Sequence, residues 1–67
     1  MKFGERLKDL RLEKKIKVVD LARAAGVSQA AIYSFERNER YPTTESVVKL
    51  ARYFGVTTDY LLGEKDF

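Results

Sequence analysis

The chain has 67 residues, with 13 Lys+Arg against 10 Asp+Glu, one Pro and no Cys, His or Trp. That length allows one small domain, whose core supplies only roughly 3–5 kcal/mol of net stability, and without Cys or His neither disulfides nor a zinc site can reinforce it. Thiol chemistry, His-based acid–base catalysis and Ser-His-Asp triads are excluded on the same count, and no apolar run approaches the roughly 20 residues of a membrane span.

Phe3, Leu7, Leu10 and Lys14 recur at helical spacing, which predicts a first helix over about residues 3–14. Ile16 opens a short connection. Val18 to Ala25 forms a second amphipathic stretch, with Leu21, Ala22 and Ala25 at helical offsets. Gly26 ends it, being at ease at the positive φ that follows a helix. Ser28 suits the N-cap of a third helix, because its hydroxyl can accept an orphan N–H. In that helix Ile32 and Phe35 face inward, while Gln29, Ala30, Tyr33 and Arg37 lie largely elsewhere. Asn38 can take the left-handed conformation that closes it.

Glu39-Arg40-Tyr41-Pro42 reads as the one real loop. Thr43 caps a fourth helix, Glu45 suits the positive end of its dipole, and Val47, Leu50, Ala51 and Phe54 form its inner stripe before Gly55. A last short helix runs from Thr57 to Leu62, with Asp59 in its first turn and Gly63 at its close. Five short helices with no strand alternation make the expected fold all-α. Residues 1–63 form the expected domain and residues 64–67 a short C-terminal tail.

Val18 to Phe35 is the informative stretch. A turn of three or four residues at Gly26 forces two helices to cross steeply, and Ala22 supplies the small residue a close crossing needs. Leu21, Val27, Ile32 and Phe35 would wedge the pair against the first and fourth helices. This is the layout of a helix-turn-helix over about residues 18–37, whose later helix, about residues 28–37, presents its N-terminal residues to the major groove.

Leu21-Ala22, Gly26-Val27-Ser28-Gln29, Ile32, Phe35-Glu36-Arg37-Asn38 and Pro42-Thr43 resemble the lambda-repressor-like (Cro-type, XRE) helix-turn-helix family. Leu50-Ala51, Phe54-Gly55-Val56 and Asp59-Tyr60-Leu61-Leu62-Gly63 extend the likeness over essentially the whole chain. The resemblance implies a compact five-helix domain that binds double-stranded operator DNA, commonly as a homodimer on a palindromic site.

Carried over residue by residue, it implies base-edge contacts from Gln29 and Ala30, with Tyr33 and Ser34 one turn further on. Gln can contact adenine N6/N7 bidentately, and Ala30 or Ala31 can touch a thymine methyl. Gln29 as a plain solvated residue is the bland alternative, and Tyr33 could instead cover the edge of Phe35. Phosphate contacts fall to Lys17, Ser28, Arg37, Asn38 and Arg40, the first two at helix N-termini, where free N–H groups favour anions. Arg11 and Glu36 match a structural ion pair that fixes the third helix against the first.

Four positions depart from the pattern. Val18 stands where a polar phosphate anchor is usual, and Ala30 shortens the readout surface. Asn38 replaces a common glycine harmlessly, whereas Glu39 puts a negative charge beside the expected backbone track. These departures predict modest affinity or a strong dependence on dimerisation.

The net charge of +3 says little by itself, but residues 1–42 hold ten Lys/Arg against six Asp/Glu, and residues 43–67 three against four. The excess in the first two-thirds favours a polyanionic partner, although a surface tuned for solubility would look similar. The leading expectation is a transcriptional repressor that blocks polymerase by occupying an operator. A protein-interaction module of the same fold is the alternative. No residue cluster resembles an active site, so the chain is not expected to be an enzyme, and no cofactor, metal or membrane partner is implied. The first residues lack an apolar leader, which predicts a cytoplasmic location. Tyr60, Leu61, Leu62 and Phe67 are apolar residues available either to a second copy or to the core.

Overall fold

The computed structural model describes residues 2–67. Its order is α1 (Lys2–Glu13), α2 (Val18–Ala25), α3 (Gln29–Glu36), α4 (Thr44–Phe54) and α5 (Thr58–Leu62), with no strand among the described residues. The fold is the all-helical one expected of the pattern.

The boundaries follow from local chemistry. Ser28, Thr43 and Thr57 sit in extended backbone, and their hydroxyls accept the N–H groups of Ala31, Ser46 and Tyr60 at 3.1, 3.1 and 3.0 Å. Each cap contributes about 1 kcal/mol. Asn38 closes α3 in the left-handed region, at φ 56°. The end of α1 carries no such signal in the sequence. There Lys15 itself takes φ 57°, donating to the Leu12 carbonyl at 3.0 Å, while Ile16 donates to that of Arg11 at 3.2 Å.

Every helix sends at least one fully buried side chain to a common core: Phe3 and Leu7, Leu21, Ile32 and Phe35, Leu50, and Leu61. Each such side chain is worth roughly 1.5–3 kcal/mol of burial, so the core depends on all five helices at once. Helix α1 packs on α3 and α5, α2 on α3 and α4, and α4 on α5. The α1/α3 seam is a close one. Phe3 meets Phe35 edge-on with ring centroids 5.3 Å apart, and a β-carbon at Gly4 would collide with the Phe35 carbonyl oxygen and Asn38 Oδ1. Close crossing therefore needs Gly4 on α1 as well as the buried Ala22 on α2.

The C-terminal residues divide. Leu61 is core, which corrects any reading of it as surface for a second copy, whereas Leu62 and Phe67 are exposed. Residues 64–67 lie against the domain. Arg6 donates to the carbonyls of Tyr60 and Lys65 at 2.7 and 2.6 Å and reaches Asp66 Oδ1 at 3.3 Å, with its guanidinium 4.3 Å from the Tyr60 ring centre. No described helix is long and apolar enough to cross a membrane.

Candidate nucleic-acid interface

Helix α3 has two sharply different sides. Ala31, Ile32 and Phe35 are buried, while Gln29, Ala30, Tyr33 and Arg37 are exposed and Ser34 is half-buried. Residues 29, 30, 33, 34 and 37 share one face at helical spacing, and Gln29 and Ala30 occupy its first turn. Among the described residues the side chains of Gln29, Tyr33 and Ser34 make no hydrogen bond. Their polar atoms are uncommitted and point away from the core.

The turn that aims this helix is fixed from two sides. The Gly26 and Val27 N–H groups both donate to the Ala22 carbonyl, at 3.0 and 3.1 Å, with Gly26 at φ 75°. Lys49 of α4 donates to the Gly26 carbonyl at 3.3 Å and pairs with Glu45 at 2.9 Å, and that pairing holds the Glu45 carboxyl below its ordinary range. At the next corner, Ser28 spends an oxygen lone pair on the Ala31 N–H. Its O–H stays free to donate outward.

Helix α2 begins differently. Lys17 is its N-cap residue without a side-chain capping bond and is exposed. Val18 is only 7% exposed, so the residue that stands in place of a polar anchor has been taken into the core.

Beyond α3, Arg37, Asn38 and Arg40 are all exposed. Arg37 Nη2 lies 3.0 Å from Glu39 Oε1, and the Arg40 guanidinium sits 5.8 Å from the Phe35 ring centre. Tyr33 is 46% exposed.

Arg11 and Glu36 meet across the α1/α3 seam. Arg11 Nε and Nη2 donate to Glu36 Oε2 and Oε1 at 2.6 and 3.0 Å, and Nη1 donates to the Ile16 carbonyl at 3.1 Å. Their side chains are 14% and 8% exposed. Hydrogen bonding to Glu36 raises the Arg11 pKa above its ordinary value, against the opposing effect of burial. Such a two-bond fork fixes orientation as well as distance. It ties the end of α3 to α1 and also secures the unusual turn at Lys15.

Three positions escaped the sequence reading. Gly4 sets the α1/α3 approach, Arg6 clasps residues 60–66, and Lys49 tethers the turn. A glycine inside a helical pattern is a usable sign of close packing. The partners of Arg6 and Lys49 are backbone carbonyls, which leave no pattern in a sequence.

The helix-turn-helix family pattern matches residues 7–61. The chain belongs to the helix-turn-helix family. It is one of the lambda-repressor-like (XRE) members, as its similarities also indicate. The N-terminal DNA-binding domain of SinR from Bacillus subtilis is 33% identical, with a TM-score of 0.89 over 98% of this chain and 97% of that one. The P22 c2 repressor in complex with a synthetic operator is 36% identical, with a TM-score of 0.83 over 88% and 89% of the two chains. The transcriptional activator BcrR of Enterococcus faecalis is 36% identical over 98% of this chain and 32% of its own length. The chain spans about a third to a half of the length of this helix-turn-helix activator and of its Bacillus and Deinococcus relatives.

Proposed function

We propose that the chain is a sequence-specific DNA-binding transcriptional regulator that lays α3 into the major groove of an operator and represses by blocking polymerase. One observation carries this reading. A capped helix is locked to the core along one side and turns uncommitted Gln29, Tyr33 and Ser34, with Ala30, outward along the other. An α-helix fits the major groove, and Gln offers the bidentate donor–acceptor pair that adenine requires. Lys17, Ser28, Arg37, Asn38 and Arg40 flank that face and would position it on phosphates. The similarity to a repressor seen with an operator supports the same conclusion.

Action is by occupancy, in the cytoplasm, without a reaction step. A homodimer on a palindromic site would double the readout. This part of the reading rests on the family resemblance, and Leu62 and Phe67, both exposed, are the apolar C-terminal residues left for a second copy.

Selection of bound sequences from a random duplex pool tests the reading. The expected result is an enriched motif repeated as two half-sites. In a salt titration on that motif, log affinity should fall linearly with log salt, and Lys17→Ala should make the slope shallower by about 0.9. A folded domain that binds no duplex at low salt would instead be an interaction module.

A further inference from the structure

We propose that Glu39 withholds Arg37 from the DNA backbone, so that the domain neutralises one phosphate fewer than its cations would allow. The inference rests on the DNA-binding reading above and sets how strongly that surface grips.

The pair is built on a fixed turn. After α3 the Arg37, Asn38 and Glu39 N–H groups donate to the carbonyls of Tyr33, Phe35 and Ser34 at 3.1, 3.0 and 2.9 Å. Asn38 is held at φ 56° and abuts Gly4. This places Arg37 Nη2 3.0 Å from Glu39 Oε1, with the two side chains 61% and 55% exposed. Both charges therefore face solvent beside the end of the reading helix, where a phosphate backbone would run. Among the described residues neither Lys17 nor Arg40 has a carboxylate partner. Arg37 is the one flanking cation already neutralised.

Exchange of partners does not release it. If Arg37 turned to a phosphate, Glu39 would be left as a bare carboxylate next to the same polyanion, and like charges at that range repel. Counterion release follows the charge delivered to the backbone. A pair of net charge zero delivers none.

The test is a set of four proteins: wild type, Arg37→Gln, Glu39→Gln and the double variant. Each is checked for folding by circular dichroism and titrated with a random-sequence duplex by fluorescence anisotropy between about 50 and 200 mM salt. Arg37→Gln strands the Glu39 carboxylate and should bind more weakly, with a slope shallower by up to about 0.9. Glu39→Gln should bind several-fold tighter at the low end and steepen the slope by about 0.9, one phosphate's worth. The double variant should return to wild-type behaviour. A double variant with a slope shallower than wild type overturns the proposal, because Arg37 would then be reaching a phosphate despite Glu39, as does a Glu39→Gln gain that persists in the double variant. Absence of binding by all four folded proteins overturns the DNA-binding reading, and this proposal with it.

Discussion

The two sides of α3 differ in what holds their side chains. On the inward side Ile32 and Phe35 are fully enclosed, Phe3 stands edge-on to Phe35, and Glu36 is gripped by Arg11 through two hydrogen bonds. On the outward side Gln29, Tyr33 and Ser34 have no partner among the described residues. The contrast shows how a domain of this size presents a rigid polar edge. The inner contacts fix the helix, so that the outer side chains can be chosen for what they meet beyond the molecule.

Phe35→Ala should have the largest effect. It removes the side chain that joins α1 to α3, and truncation of a buried Phe costs about 3–5 kcal/mol. That is about the whole margin of a core this small, so thermal melts followed by circular dichroism should show a largely unfolded chain. Retention of a cooperative transition near that of wild type would break the division between the two sides.

Arg11→Met should come next, at about 3 kcal/mol, because it leaves Glu36 poorly solvated and without its partner. Replacing both members with apolar residues, as in R11M/E36L, should recover most of the loss, since buried ion pairs add little net stability. Urea denaturation of the single and double variants would show the difference. If the double replacement were as unstable as the single one, the pair would be contributing more than orientation.

Gln29→Ala should be the smallest in stability and the sharpest in function. Its unfolding free energy should stay within about 0.5 kcal/mol of wild type, while binding of the selected site should weaken by about 1–3 kcal/mol through one base position. Equal weakening on random duplex would move Gln29 from base reading to backbone contact.

Much of this was legible in the sequence, for identifiable reasons. The caps at Ser28, Thr43 and Thr57 and the stop at Gly26 are local, and each depends on a residue acting within a few positions of itself. The Arg11–Glu36 pair is not local, and it was expected through resemblance alone. Lys15 could not be foreseen as a helix stop, because its turn is closed by backbone bonds to the Leu12 and Arg11 carbonyls, which residues of any type can make. The sense of Val18 also changed. In the sequence it is a missing polar anchor, and in the fold it is a core residue.

The sequence by itself determined five helices, an all-α core and a charge excess in the first two-thirds of the chain. Apolar periodicity, capping residues and charge counts are readable along one dimension. Only the tertiary structure decided that Gly4 lets α1 close on α3, that Lys49 holds the turn and Arg6 the C-terminal residues, and that Arg37 faces Glu39. Those depend on which atoms the folded backbone brings within about 3 Å. The net charge of +3 is divided in the same way: the sequence counts its cations, and the fold determines which of them already have a partner.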